Sequence, residues 1–283
     1  MHFVKFHGFG NDYLVFEAGQ VAAVADLADF ARRICDRHYG AGADGITVVS
    51  LSANAVADFD VRIFNPDGSE AGLSGNGTRC TASYLYFQDL WDRPVVRLST
   101  RTGIKNYRLK ETIAPGHYWF EAELGQPRLD SASVPILTHT AMEKVVDYPL
   151  EIAGQTWPVT AVQMGNPNAT IFVDDFDALN WRSISRALEV HPLFPERTNV
   201  TFARVLDRAN IELRIWERGA GETLSSGTCS CAAAVASVIT GRTERSVAVH
   251  TMGGRIEVTW RDDNEIVMTG RADVVYSGQW LGD

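Results

Sequence analysis

The segments "GLSGNGTRC" (residues 72–80) and "TLSSGTCSC" (residues 223–231) are built alike. Each places a Ser-Gly pair, Ser74-Gly75 and Ser226-Gly227, directly before a run of residues typical of a helix. A serine is favoured there because its hydroxyl accepts a hydrogen bond from a backbone N–H of the first helical turn. The glycine lets a ligand come close to the backbone. One such pair alone is most simply an N-cap and a turn, but two in matched settings indicate a shared role.

These two segments belong to a longer internal repeat. At the offset that aligns the two serines, Phe64 corresponds to Trp216 and Glu70 corresponds to Glu222. The segment "GFGNDYLVF" is similar to "QMGNPNATIFV", "STRTGIK" to "HTMGGRI", and "EAELGQP" to "VMTGRA". Because these matches follow one another in the same order at nearly constant spacing, the chain is predicted to contain two structural repeats.

The pattern of apolar residues predicts similar elements in both halves. In the first half it predicts strands in "HFVKFHG", "YLVFEAG" and "DFDVRIFNPDGSE", helices in "VADLADFARRICDRHYG" and "TRCTASYLYFQDLW", and a hairpin in "VVRLST" and "IKNYRLKE". In the second half it predicts strands in "WPVTAVQM", "ATIFVDD", "IELRIWERG", "SVAVHTM" and "RIEVTW", and helices in "WRSISRALEVH" and "CSCAAAVASVITG". Pro115-Gly116 interrupts the pattern, so domains are predicted at residues 1–118 and 119–272.

A Ser-Gly helix start suggests how a ligand would bind. The first N–H groups of a helix lack partners within the helix, and the helix dipole adds a partial positive charge. Two such helix starts across a cleft between domains would hold one small anion, such as a carboxylate. Ser74 and Ser226 would then flank the atom bonded to that carboxylate, which suits chemistry at the α-carbon of an amino acid. Neither segment is a P-loop or a complete nucleophile elbow.

Composition narrows the class of protein. The chain has 283 residues, 45% of them hydrophobic, and a net charge of −9. This acidic balance argues against binding to nucleic acid or to an anionic membrane surface. Four cysteines give no disulfide framework, and Cys229 and Cys231 have no second ligand pair at metal spacing. With no signal-like or membrane-spanning apolar segment, we expect a cytoplasmic protein with no metal or other cofactor.

Eight segments together resemble the diaminopimelate epimerase family. In order, they are "HGFGNDYLVF", "GAGADGI", "RIFNPDGSEAGLSGNGTRC", "MGNPN", "FPERTNVTF", "WERGAGETLSSGT", "GGRIEV" and "MTGRA". They extend through essentially the whole chain. The resemblance implies an α+β fold of two pseudo-symmetric domains, each a mixed β-sheet wrapped around a central helix. It also implies that a C-terminal strand, about residues 273–283, returns to the first domain.

This resemblance implies an activity and a site. Members of the family convert LL-diaminopimelate to the meso form without a cofactor, as one cysteine removes the α-proton and another returns one. The α-carboxylate is held by backbone N–H groups that correspond to Gly75, Asn76, Gly227 and Thr228. The distal amino-acid end is held by residues that correspond to Asn11, Asn65, Asn166, Asn199 and Arg218. Glu217 is expected near the reacting centre. The resemblance also suggests a homodimer, with Tyr276 supporting the interface.

The sequence departs from the family pattern at the chemical centre. The two catalytic cysteines of the family correspond to Ser74 and Ser226, and a histidine near the reacting amine corresponds to Asn168. A thiol has a reference pKa of about 8.5, whereas an alcohol stays protonated unless a neighbouring base activates it. Cys229, in the first turn of its helix, is a candidate replacement thiol, but its counterpart in the other repeat is Gly77.

The sequence leaves three functions open. The first is epimerisation of diaminopimelate with Ser74 and Ser226 in the two acid/base positions. The second is dehydration or isomerisation of another amino acid. The third is binding of an amino acid without turnover. In each case the expected partner is a small amino-acid substrate. A serine hydrolase is disfavoured, because no Asp/His pair stands at recognisable spacing.

Overall fold

The computed structural model describes residues 1–282 of the chain. The chain divides into two compact units. Unit 1 contains Met1–Glu123 together with the segment from Thr269 onward, and unit 2 contains Leu124–Met268.

Unit 1 is built from strands and two helices in alternation. Its elements, in chain order, are β1 (His2–Gly8), β2 (Asn11–Glu17), a 3-10 turn (Ala18–Val21), α1 (Leu27–Cys35), β3 (Ile46–Leu51), β4 (Phe59–Phe64), β5 (Glu70–Ala71), α2 (Gly75–Phe87), β6 (Val95–Thr100) and β7 (Gly103–Ala114). The next strand, β8 (His117–Gly125), begins in this unit and pairs with β7.

Unit 2 repeats the scheme with one additional strand at its start. Its elements are β9 (Val145–Ile152), β10 (Gln155–Gln163), β11 (Pro167–Phe172), α3 (Trp181–Glu189), β12 (Asn199–Asp207), β13 (Asn210–Glu217), β14 (Gly221–Thr223), α4 (Gly227–Ile239), β15 (Ser246–Thr251) and β16 (Gly254–Trp260). The last strand, β17 (Ile266–Gln279), begins in unit 2, and its C-terminal part pairs with β1 of unit 1.

The two units share one strand topology. In unit 1, β1–β2, β3–β4, β4–β5 and β6–β7 are antiparallel, whereas β2–β3 and β4–β6 are parallel. In unit 2, β10–β11, β12–β13, β13–β14 and β15–β16 are antiparallel, whereas β11–β12 and β13–β15 are parallel. Each unit is therefore a mixed sheet with the same connections, which confirms the repeated α+β fold predicted from the sequence.

A buried helix lies at the centre of each unit. Helix α2 packs against β1, β2, β3, β4 and β6, and every residue from Asn76 to Leu85 is buried. Helix α4 packs against β10 to β13, β15 and β16, and it is buried from Cys229 to Ser237. The small residues of "CAAAVAS" allow the surrounding strands to approach this helix closely. Each of these helices begins directly after the serine of one matched Ser-Gly pair.

Some elements differ from the sequence prediction. Helix α1 ends at Cys35, although the apolar pattern suggested a helix through Gly40. It ends there because Asp36 adopts an extended conformation and its carboxylate accepts hydrogen bonds from the N–H groups of His38 and Tyr39. Pro115-Gly116, predicted as a break between domains, forms the turn between β7 and β8.

No helix within residues 1–282 is long and apolar enough to cross a membrane. The longest helices, α2 and α4, have 13 residues each.

Candidate active site

In unit 1, Ser74 is the N-cap of α2. Its hydroxyl oxygen accepts a hydrogen bond from the Gly77 N–H at 3.0 Å, and its carbonyl accepts one from the Thr78 N–H. The same hydroxyl lies 2.8 Å from Tyr13 Oη, and either group can be the donor. A Cβ atom at Gly75 would meet open space, so a ligand can approach the backbone N–H groups that begin this helix.

Asn11 and Asn76, both predicted to bind substrate, are joined in unit 1. The Asn76 amide donates to the Asn11 side-chain oxygen at 3.1 Å, and Asn11 donates to Asp44 at 2.8 Å. Behind them lies Arg79, which is 1% exposed, donates to the Asn76 side-chain oxygen and stacks on Phe9 at 5.4 Å. The two amides are therefore fixed by charged residues that the sequence analysis did not identify.

Asn65 is bonded within its own turn at the end of β4. Its side chain donates to Ser69 Oγ at 2.9 Å, and its backbone N–H donates to the Ser69 carbonyl. In unit 1, the structure therefore brings together Asn11, Asn76 and the α2 start, while Asn65 keeps a separate local hydrogen-bond network.

In unit 2, Ser226 is the N-cap of α4, but its hydroxyl does not cap the helix. Instead, it donates to Glu217 Oε2 at 2.8 Å, and the serine is 5% exposed. Burial raises the pKa of Glu217 above the ordinary glutamate range, and the hydrogen bond from Ser226 offsets part of that rise. The two serines, matched in sequence, thus have different partners: a phenol for Ser74 and a buried carboxylate for Ser226.

Three predicted site asparagines of unit 2 form a hydrogen-bonded row. Asn168 is 0% exposed and donates to the Asn166 carbonyl at 2.7 Å and to the Asn166 side-chain oxygen at 3.0 Å. Asn199 donates to the Asn168 side-chain oxygen at 3.2 Å, and these two residues are opposite each other in the parallel β11–β12 pair. The row passes to Arg218, whose backbone N–H donates to the Asn199 side-chain oxygen at 2.8 Å.

Arg218 is exposed, and its guanidinium donates to the Glu196 carbonyl at 2.7 Å. Gly227 and Thr228 are half-buried in the first turn of α4. In unit 2, the structure therefore brings Asn166, Asn168, Asn199 and Arg218 into one network, and it joins Ser226 to Glu217.

The cysteines of this chain are not placed as reactive thiols. All four are buried and free. Burial raises the pKa of Cys80 and of Cys231 to about 12, and that of Cys229 still further. Cys229, the candidate raised by the sequence, is therefore held as a neutral thiol near neutral pH. Within residues 1–282, no group of three or more His, Cys, Asp or Glu side chains is placed to hold a metal ion.

The sequence analysis did not identify Tyr13 and Glu189 as candidate site residues. Tyr13 lies on β2, and its hydroxyl contacts Ser74, which is far from it in the sequence. Glu189, at the end of α3, accepts hydrogen bonds from residues on both sides of Glu217-Arg218. Nothing in the local sequence around either residue signals these contacts, because they depend on how distant elements pack.

The class of fold follows from solved structures. A PhzF-family phenazine biosynthesis protein from Bacillus anthracis superposes with a TM-score of 0.72 at 18% identity, covering 100% of this chain and 99% of that one. A hydroxyproline epimerase from Agrobacterium vitis superposes with a TM-score of 0.68 at 16% identity, covering 100% and 93%. The chain thus has the fold shared by these proteins.

Sequence relatives identify the family. The family model described as diaminopimelate epimerase matches residues 3–127 and 160–275. A diaminopimelate epimerase from Synechocystis sp. is 42% identical over 99% of this chain and 98% of its own length. One from Moorella thermoacetica is 42% identical over 99% of both chains. This chain belongs to the diaminopimelate epimerase family, and it is an isomerase of the epimerase class.

Proposed function

We propose that this protein inverts an α-carbon of diaminopimelate by proton transfer, with Ser74 and Ser226 in the two acid/base positions. The names of its full-length relatives support the substrate. The observation that carries the chemistry is the hydrogen bond from the Ser226 hydroxyl to the buried Glu217 carboxylate. An alcohol becomes an effective proton acceptor only when a neighbouring base takes its own proton, and Glu217 is such a base.

The substrate's α-carboxylate binds at the starts of α2 and α4 in this proposal. The donors are the backbone N–H groups of Gly75, Asn76, Gly227 and Thr228. Each helix start contributes unpaired N–H groups and a partial positive charge, which suit a carboxylate. These interactions also stabilise the negative charge that develops on the carboxylate when the α-proton leaves.

In the proposal, the distal amino-acid end is held by a second group of residues: Asn11, Asn65, Asn166, Asn199 and Arg218. Asn168 belongs to the substrate site at the reacting end. Asn168 contributes through its neighbours, because its side chain is buried and bonded to Asn166 and Asn199. The exposed Arg218 guanidinium pairs with the distal carboxylate.

In the proposed reaction, one proton transfer runs through Ser226 and Glu217. The other runs through Ser74 and Tyr13. As Ser226 Oγ accepts the α-proton, the original Ser226 proton passes to Glu217 Oε2, and the electron pair of the C–H bond stays on the substrate. Ser74 Oγ then supplies a proton to the α-carbon and receives one from Tyr13 Oη. Tyr13 regains its proton from water, and Glu217 returns its proton to water.

Loss of the α-hydrogen of LL-diaminopimelate in D₂O, together with formation of the meso isomer, tests this function. We expect slow turnover by the unmodified protein. Ser226→Ala and Ser74→Ala should each lower the rate by about 10² to 10⁴, the usual contribution of one acid/base group. The exposed Ser183, in the first turn of α3, provides a control in Ser183→Ala, which should keep the full rate.

The double variant Ser74→Cys, Ser226→Cys serves as a comparison, because thiols are far more acidic than alcohols. It should exchange the α-hydrogen faster than the unmodified protein. If neither protein exchanges it while both bind diaminopimelate, the protein is an amino-acid-binding homologue and the proposal is wrong. Exchange of a different amino acid in preference to diaminopimelate would also contradict it.

We also propose that the protein is a homodimer. Tyr276 is 41% exposed, its hydroxyl donates to the Ala41 carbonyl at 3.1 Å, and its ring packs on Phe3. The preceding Val275 is also an exposed apolar residue. Sedimentation of the full chain should give the mass of two copies, and Tyr276→Asp should shift it towards the monomer. A monomeric unmodified protein would contradict this proposal.

A further inference from the structure

Glu189 is a buried carboxylate that no step of the proposed reaction uses. It is the last residue of α3 and is 8% exposed. Its Oε2 accepts a hydrogen bond from Trp216 Nε1 at 2.7 Å, and its Oε1 accepts one from the Gly219 N–H at 3.0 Å. Arg197 lies 3.7 Å from Oε1, which is at the outer limit of an ion pair.

These contacts lie on both sides of Glu217, the proposed base, and Arg218, the residue proposed to bind the distal carboxylate. The dipeptide Glu217-Arg218 lies between Trp216 and Gly219. The Glu189 carboxylate therefore binds the residue on each side of it. Residue 217 is the last residue of β13, and the chain leaves the sheet directly after it. The turn is closed by a hydrogen bond from the Ala220 N–H to the Glu217 carbonyl, and the two bonds to Glu189 join its flanks to the end of α3.

Glu189 is also joined to the row of asparagines. Its backbone carbonyl accepts a hydrogen bond from the Thr198 N–H at 3.2 Å, directly before Asn199. Asn199 in turn accepts the hydrogen bond from the Arg218 N–H. The end of α3 therefore connects the start of β12 with the end of β13, and Arg218 is held from both.

We propose that Glu189 is a positioning residue that sets the place of Arg218 and so determines recognition of the distal carboxylate of the substrate. A buried carboxylate is costly unless its oxygens are hydrogen-bonded, so each of its two donors is held firmly. This role rests on the proposed function for the identity of the substrate. The local ordering of the segment around Arg218 does not rest on it.

Amide hydrogen exchange tests the ordering without any ligand. We expect Glu189→Gln to speed exchange of the Arg218 and Gly219 amides by about tenfold or more, because an amide side chain has one acceptor oxygen for two donors. Trp216→Phe removes only one donor and should produce a smaller increase. Glu222→Gln is the matched control, because Glu222 pairs with Trp216 in the β13–β14 ladder but its side chain binds the surface residue Arg182.

Binding of two ligands tests recognition. Diaminopimelate has a distal carboxylate and a distal amine, whereas 2-aminoheptanoate has the same reacting end but lacks both distal groups. In calorimetry, Glu189→Gln should weaken diaminopimelate by about tenfold or more and change 2-aminoheptanoate by less than about threefold. A general loss of folding would weaken both ligands equally, so the difference between them reports the positioning role.

The outcomes separate this inference from the proposed function. Unchanged exchange at Arg218 and Gly219 in Glu189→Gln would overturn the inference, and so would equal weakening of the two ligands. If the unmodified protein binds neither ligand, the proposed function is wrong and the recognition role falls with it, while the amide-exchange result still decides whether Glu189 orders the segment.

Discussion

The partner of each serine hydroxyl decides what that hydroxyl can do. Ser226 donates to a buried carboxylate, which can receive a proton, whereas Ser74 shares a hydrogen bond with a phenol and accepts another from a backbone N–H. A carboxylate is a base near neutral pH, and a phenol is a proton donor. At the scale of single residues, the surroundings of the two serines are therefore unequal, although their sequences match.

Glu217 predicts a pH dependence of the reaction. Only the carboxylate form can take the Ser226 proton, and burial raises the pKa of Glu217. The rate should therefore be low in acid and should rise with pH through a value above the ordinary glutamate range of about 4.3. Measurement of kcat/KM from about pH 4 to about pH 9 checks this. Glu217→Gln should remove the rise, and Glu222→Gln should leave it in place.

Asp12 predicts a dependence of stability on pH. Burial raises the pKa of this carboxyl, but hydrogen bonds from Arg37 and Lys5 outweigh that effect and lower the pKa to about 2. Because the folded pKa is lowered, the stabilisation is present above the ordinary aspartate value and is lost as pH falls towards 2. Urea unfolding at neutral pH and at about pH 3 measures this loss.

Removal of Asp12 takes away the carboxylate that lies 2.7 Å from the Lys5 ammonium group. It also takes away one of the two carboxylates that pair with Arg37. Asp12→Ala should therefore lower the free energy of unfolding by about 2 to 3 kcal/mol, since breaking a buried pair leaves a charge unpaired. Asp29→Ala is the control, because Asp29 forms exposed pairs with Arg32 and Arg33 and should cost less than about 1 kcal/mol. Equal costs for the two variants would contradict the role given to Asp12.

At the scale of elements, a substitution at the start of α2 is expected to change ligand binding without changing stability. A methyl group at Gly75 would meet no protein atom within 4 Å, so Gly75→Ala should leave the free energy of unfolding within about 1 kcal/mol of its original value. The same methyl group would stand where the substrate carboxylate approaches the backbone. We therefore expect binding of diaminopimelate to weaken by about tenfold or more.

A control for Gly75→Ala is available in the first turn after β2. A methyl group added at Gly19 would also meet open space, yet this glycine lies in the 3-10 turn and away from α2. Gly19→Ala should leave both stability and binding of diaminopimelate nearly unchanged. If Gly75→Ala binds the substrate as tightly as Gly19→Ala, the backbone at the start of α2 does not hold the carboxylate.

The type of most elements could be predicted from the sequence, but their ends could not. Apolar periodicity located all four helices, because each has a buried face or is buried on all sides. The end of α1 was missed because the carboxylate of Asp36 provides hydrogen bonds that compete with another helical turn. Six strands were not predicted, and their places depend on pairing with other strands: β3, β5, β8, β9, β12 and β14.

The candidate site residues were predicted from the internal repeat and from the family resemblance. Ser74 and Ser226 were found because each precedes a helix in matched segments, and the structure places both as N-caps. Tyr13, Arg79 and Glu189 were not found, since their contacts join elements far apart in the chain. The different hydrogen bonding of the two serines is likewise absent from the sequence pattern.

At the scale of the whole molecule, the chain is one folding pattern used twice. Each unit has the same order of parallel and antiparallel pairs around its own buried helix, so each provides one Ser-Gly helix start. In the proposed reaction, one unit alone could bind a carboxylate, but it would supply only one serine hydroxyl to the α-carbon. In that proposed reaction, inversion needs one group to remove a proton and another to deliver one, and each repeat would supply one of them.

The proposed function requires both helix starts to bind the same amino acid. Backbone amide exchange of the full chain, with and without diaminopimelate, measures this directly at Gly75, Asn76, Gly227 and Thr228. We predict that the ligand slows exchange at both helix starts, with one shared dependence on its concentration. Slowing at only one helix start, or at neither one while the ligand is bound, would contradict the account.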